Sequence, residues 1–300
     1  MSEIQKIVNY VNKFYYKNNL NFSEKNKKVK DKKLFFLKKK DYLIQRNSIR
    51  KKILVKIRKK LEKNLEPKNI FNPKDISKLN HYSFRKLYNK NRNIKFWSKY
   101  PKISNKDHKM GMKTWKNKTN YIVFKNPEKI CKEIKKIKKI PTIKKITDFY
   151  FENNKYKHVY SKVIYSFSGK KFPIDTQVFH NDLDGMKVLK IFIYLNNVSN
   201  FNFGPIQFIE DSNIFCEKYK KKLNNWKFRL LNKNKDKTFK NKKIISFLGK
   251  VGDCLFLNTA NYHRGLMPKN KNRMILILSF ICHNELITNN NFKVKKNVKF

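Results

Sequence analysis

Two histidines, one aspartate and one arginine carry the chemistry that this sequence could perform. His180 and Asp182 lie two apart in QVFHNDLDG. On an extended chain such residues project to one side, about 6–7 Å apart, so a single cation can bind both. A lone His-x-Asp pair is equally a turn in which the aspartate caps the backbone. A third donor, His263, follows an apolar run in GDCLFLNTANYHRG. Two imidazoles and one carboxylate can hold one face of non-haem iron(II) and leave the other face open to a chelating cosubstrate and dioxygen. Arg273 comes ten residues later and opens the apolar run RMILILSFI. A guanidinium in such a place is costly without an anionic partner, and its planar fork suits a carboxylate. The plainer alternative is a strand-end arginine paired with a surface acid.

These four residues fall in the part of the chain that reads as strands. From about residue 145, short apolar runs alternate with turn residues: HVYSKVIYSFS, TQVFH, KVLKIFIYL, PIQFIE, IISFLG, CLFLN and RMILILSFI. Repeated short strands with turns between them predict an antiparallel sandwich or barrel. No strand leads into a helix through a glycine-rich turn, which counts against a nucleotide-binding doubly wound sheet. Six of the seven glycines lie between 169 and 265, so tight turns concentrate around the candidate site. Upstream, IRKKILVKIRKKLEKNL (49–65) has helical apolar spacing and predicts an amphipathic helix. DYLIQ and NPEKICKEIKKIKKI are read as further helical pieces. In the second, Asn126 is the expected cap, Pro127 fits the first turn, and Pro141 is expected to end the helix. The expected organisation is a basic, mostly helical region over 1–125, a β domain over 126–290, and a charged tail over 291–300. Residues 211–243 read as a helix and loop inserted between strands.

Composition sets the partners in context. The chain has 300 residues and a formal charge of +52, which would ordinarily suggest nucleic acid or an anionic surface. However, only eight of its 73 basic residues are arginine, and it holds 40 asparagines and a single alanine, Ala260. Lys, Asn, Ile, Phe and Tyr have A/T-rich codons, so lysine reads as the default surface residue of an AT-rich coding sequence. The charge therefore says little about partners, and nucleic acid is not the expected one. The four cysteines show no metal-binding or disulfide-framework spacing. No apolar run approaches the roughly 18 residues of a membrane span, and the first residues do not resemble a secretory signal. The expected location is the cytoplasm.

The motif order QxxHxD, KxFIYLxxV, GPxxFIxxS, GxxGDxxFxxTxxxHRG and a following arginine resembles the phytanoyl-CoA dioxygenase (PhyH-like) family of Fe(II)/2-oxoglutarate oxygenases. The resemblance covers about residues 165–283. It implies a double-stranded β-helix (jelly-roll, cupin-like) core with flanking helices. It also implies iron ligation by His180, Asp182 and His263, and anchoring of the distal carboxylate of 2-oxoglutarate by Arg273. Gln177 matches a glutamine that borders the cosubstrate pocket. The implied reaction couples oxidative decarboxylation of 2-oxoglutarate to hydroxylation of a small organic substrate. Two departures stand out. Ser212 and Asn213 occupy the family's "SH" positions, and Ile275 replaces the usual serine or threonine two residues after the arginine.

Two other readings stay open at this level. A nucleic-acid-directed oxidative demethylase would typically carry a second arginine six residues after the first, where this chain has Ser279. A non-catalytic β-barrel binding protein with a basic arm would not need all four of His180, Asp182, His263 and Arg273.

Overall fold

The computed structural model describes residues 31–63, 94–98, 119–152, 156–170, 173, 175–182, 187–213, 229–230 and 241–282. Their strands are β1 (Tyr42–Gln45), β2 (Ile94–Ser98), β3 (Thr119–Phe124), β4 (Tyr156–Ser166), β5 (Phe179–His180) and β6 (Val188–Tyr194). They continue with β7 (Ile206–Ile209), β8 (Arg229–Leu230), β9 (Ile244–Phe247), β10 (Cys254–Leu257), β11 (His263–Gly265) and β12 (Arg273–Cys282). Four helices accompany them: α1 (Lys32–Lys40), α2 (Lys51–Lys63), α3 (Glu133–Ile137) and α4 (Pro141–Phe151). The fold is mainly β. One sheet has the order β1-β10-β6-β12-β4-β3-β2 and the other β8-β5-β11-β7-β9. Neighbouring strands are antiparallel, as in a jelly roll.

The period of two along each strand explains the layering. On β12, Met274, Leu276 and Leu278 face the helices, as do Leu189, Ile191 and Ile193 of β6. Their alternates, Ile275, Ile277, Phe192 and Tyr194, face the smaller sheet and meet Ile206, Phe208 and Phe247. With both faces covered, β6, β10 and β12 are buried at every position, which is why they read as continuous apolar runs in the sequence.

The helices supply the outer layer. α2 lies within the segment expected to be helical and buries Leu54, Ile57 and Leu61 along one stripe. α1 is capped by Asp31, whose side chain accepts from the backbone N–H groups of Lys33 and Leu34. The strands from the first 125 residues, β1, β2 and β3, add to both edges of the larger sheet, so chain from both sides of residue 125 shares one sheet.

Several local expectations change. DYLIQ is not helical: Tyr42–Gln45 is an edge strand paired with Cys254–Leu257, with Tyr42 and Ile44 turned to one core and Leu43 to the other. The segment after Asn126 breaks into a 3-10 turn at Pro127–Lys129 and the short α3, and Asn126 makes no side-chain cap. Pro141 does not end that helix. It starts α4, which runs to Phe151, because proline's fixed φ and missing N–H fit a first turn. The strands that follow α4 therefore begin at Tyr156. Most of the expected insertion at 211–243 and the whole 291–300 tail lie outside the described residues.

Gly204 is required by geometry. It has φ of +67°, and an added Cβ would collide with the Leu266 carbonyl oxygen and lie 2.7 Å from the Pro268 nitrogen. Gly204→Ala is expected to destabilise the fold by about 2 kcal/mol or more. A lower urea midpoint with an unchanged slope would show this. An unchanged midpoint would contradict the packing described.

Candidate metal centre

The strand register brings the candidate ligands together. β11 pairs with β5 so that His263 and His180 are direct cross-strand partners. Just beyond β5, the Asp182 N–H donates to the Thr259 carbonyl at 2.9 Å, holding the aspartate beside the turn that leads into β11. The two imidazole centroids are 4.4 Å apart. One ligand atom from each of His180, Asp182 and His263 fits within a 4.8 Å cluster. His263 Nε2 lies 3.3 Å from Asp182 Oδ2.

The protonation chemistry suits a cation. Both Nδ1 atoms lie 2.9 Å from backbone carbonyl oxygens, of Val178 for His180 and of Asn261 for His263. A carbonyl can only accept, so Nδ1 carries a proton in each ring and Nε2 is the nitrogen left to face a metal. Burial pushes the His180 imidazole down to about 3, and the neighbouring His263 ring adds to the shift, so the ring is neutral at ordinary pH. Burial alone would raise the Asp182 carboxyl. Lys190 and the His263 ring outweigh it and hold the carboxyl well below the usual aspartate range. The result is an ionised Asp182 carboxylate beside a neutral His180 imidazole, with His263 completing a donor set suited to a divalent metal.

Lys190 was not singled out from the sequence, although a lysine within VLKIFIY is an unusual choice for a strand buried on both faces. Its side chain is 3% exposed, and its ammonium donates to Asp182 Oδ2 at 2.6 Å. Asp182 thus has one carboxylate oxygen engaged and is fixed in orientation.

Arg273 is 2% exposed. It donates through Nη1 to the carbonyls of Gly204 and Leu266 and through Nη2 to Ser166 Oγ. Its Nε has no partner, and no carboxylate pairs with it among the described residues. Burial lowers the guanidinium to about 10, which still leaves it charged at neutral pH. The surface-acid alternative therefore does not describe this residue. A buried, uncompensated guanidinium is a strong requirement for an anion.

Its position relative to the ligands is set by Gly265. A Cβ at Gly265 would lie 2.7 Å from Arg273 Nη2, so the guanidinium rests on the bare face of that glycine. Gly265 is two residues past His263 on the same strand. Residues two apart share a face and are about 7 Å apart, a span that a five-carbon diacid can bridge. Gly265→Ala is expected to weaken 2-oxoglutarate binding by roughly tenfold or more through displacement of the fork, with metal binding unchanged. Calorimetric titrations of both would separate the two effects.

The remaining sequence candidates fall into place around this centre. Gln177 is buried and accepts from Asn120 Nδ2 through Oε1 at 3.1 Å, bracing the segment ahead of His180. Ser166 was missed. It is the register partner of Arg273 on β4 and provides the hydroxyl that the sequence lacks at Ile275. Ser212 Oγ donates to the Ile209 carbonyl and accepts from the Tyr262 N–H, tying β7 to the approach of His263. Asn213 donates to Asp41 Oδ2, linking the loop after β7 to the junction of α1 and β1. Asp253 accepts from the N–H groups of Asn47 and Lys250 and pairs with Arg46. His158 contacts Ser161 Oγ and lies apart from the centre. His81, His108, Asp184 and His283 lie outside the described residues.

No family model matches the sequence, and no curated protein matches it. The similarity to solved structures is one of fold. The non-haem α-ketoglutarate-dependent carbocyclase SnoK of nogalamycin biosynthesis superposes with a TM-score of 0.57 at 11% identity, over 84% of each chain. The epimerase SnoN, in complex with Fe3+, α-ketoglutarate and nogalamycin RO, gives 0.52 at 10% identity, over 83% of this chain and 82% of its own. HygX from Streptomyces hygroscopicus, with nickel and 2-oxoglutarate bound, gives 0.50 at 11% identity, over 84% of this chain and 87% of its own. The chain therefore shares its fold with metal- and 2-oxoglutarate-binding enzymes.

Proposed function

We propose that the protein is an Fe(II)- and 2-oxoglutarate-dependent dioxygenase of the PhyH-like branch that hydroxylates a small organic substrate. The observation that carries this reading is the buried Arg273 guanidinium. It has no acid partner among the described residues and is seated on Gly265, two residues from His263. The residues fit the cofactors that the fold relatives bind. His180 Nε2, His263 Nε2 and an Asp182 oxygen would hold iron, and Arg273 with Ser166 would hold the far carboxylate of 2-oxoglutarate. When bound, iron and 2-oxoglutarate together supply an oxidant made from dioxygen, releasing succinate and carbon dioxide.

The chain's own contribution is positioning and exclusion of water. The Val178 and Asn261 carbonyls keep both Nε2 atoms directed at the centre. Lys190 orients the Asp182 carboxylate. Arg273 fixes one end of the diacid, so its keto-acid end is presented to the three ligands. Phe192, whose ring is 6.1 Å from that of His263, contributes a dry wall. Gln177, three residues before His180 and held by Asn120, is assigned a supporting role at the edge of the cosubstrate pocket.

Calorimetry with cobalt(II), a redox-inert stand-in for iron, tests the proposal. The expected result is one 2-oxoglutarate bound per chain only when the metal is present. Folded protein that binds the metal but not 2-oxoglutarate would contradict it.

A further inference from the structure

The inner face of the larger sheet carries a polar ledge beside the metal centre. The registers of β6, β12 and β4 align Lys190, Ser279 and Tyr160 in one row across neighbouring strands. Lys162 lies in the next row, opposite Ile277. The alternation of β4 and β12 puts this set on the same side as Ile164, Ile275 and Ile277, whose side chains form the core between the sheets. An otherwise apolar wall therefore changes character at this spot.

The groups on the ledge are donors and an aromatic face. Two ammonium groups lie near the Tyr160 ring, Lys162 Nζ at 5.1 Å and Lys190 Nζ at 5.5 Å from its centroid. The Lys190 ammonium continues to Asp182, which joins the ledge to the ligand set. Ser279 is fully buried, and its Oγ has no hydrogen-bond partner. A buried hydroxyl without a partner costs stability, and a ligand group reaching this wall would offset that cost. Lys162 is only half-buried and forms no ion pair among the described residues. An ammonium can only donate. Two ammonium groups and a hydroxyl would repel a cation and leave a purely apolar group facing desolvated charge.

We propose that this ledge binds an anionic group of the substrate, a carboxylate or phosphate, through Lys162 and Ser279, with the adjoining carbon chain lying over Tyr160 toward the metal. This rests on the dioxygenase reading and narrows its substrate class. The anion site is separate from the one at Arg273: Lys162 and Ser279 sit in neighbouring rows further along β4 and β12, whereas Arg273 and Ser166 are register partners at the other end of those strands. A substrate anion and 2-oxoglutarate would therefore not compete for one site.

Calorimetry on the full chain, saturated with cobalt(II) and 2-oxoglutarate so that Arg273 is occupied, tests this with three probes: benzoate, phenyl phosphate and neutral benzamide. The expected result is one saturable site at which benzoate or phenyl phosphate binds about tenfold or more tightly than benzamide. The stronger of the two identifies the anion. Lys162→Gln is expected to remove most of that preference and Ser279→Ala to reduce it, with 2-oxoglutarate binding retained in both. The exposed-residue control Lys250→Gln should leave it intact, because a chain this basic attracts anions at many surface points. Equal binding of charged and neutral probes, or a preference that survives Lys162→Gln, would overturn the ledge while leaving the dioxygenase reading standing. Failure of 2-oxoglutarate itself to bind would sink both.

Discussion

Arg273→Met is expected to lower 2-oxoglutarate affinity by about a hundredfold or more, while metal binding stays within a few-fold of wild type. The direction follows from burial. Arg273 is 2% exposed, and its guanidinium has hydrogen bonds to Gly204, Leu266 and Ser166 but no counter-charge among the described residues. A bidentate, charge-assisted contact in such a site is worth about 3 kcal/mol or more, which corresponds to that factor. Arg273→Lys should rescue little, because one ammonium cannot reproduce a fork braced at three points. Calorimetric titration of 2-oxoglutarate against the cobalt(II)-loaded protein measures the loss. Wild-type affinity in the methionine variant would show that the guanidinium serves another purpose.

His263→Ala is expected to have the opposite signature, abolishing metal binding first. It removes one of three donors and also the ring that helps keep Asp182 ionised. Even changes to groups that only orient a ligand cost about 10–100-fold in metal affinity, so loss of a ligand should exceed that. His180→Ala should behave alike, since its neutral ring is the cross-strand partner of His263. Cobalt(II) titration read by absorbance would report both. Metal binding retained at wild-type strength in either variant would remove that histidine from the ligand set.

Part of the candidate cluster was legible in the sequence because the spacing of His180 and Asp182 is local, whereas His263 is distant and could be joined to them only through the resemblance. His180 and Asp182 are two apart on extended chain, and the apolar runs beside them announced strands. Arg273 stood out because a chain that uses lysine almost everywhere else has an arginine at the mouth of its most apolar strand. What could not be read was register. Ser166 supports Arg273 only because β4 and β12 pair with those two residues opposite, and no local pattern specifies a pairing between distant strands. Lys190 was hidden for a related reason: its meaning depends on Asp182 lying across from it. The misread DYLIQ shows the limit of short windows, since four residues fit either period and the edge of the sheet decided the outcome. Pro141 shows the other common ambiguity, because proline can close one helix or open the next.

The anaerobic absorption spectrum of the full chain with Fe(II) and 2-oxoglutarate tests the central claim most directly. A keto acid chelated to iron(II) at a site with this donor set gives a weak visible charge-transfer band. The account predicts that band in the wild type, its loss in His180→Ala, and its loss or marked weakening in Arg273→Met. Folded wild-type protein that binds iron and shows no band at saturating 2-oxoglutarate would contradict it.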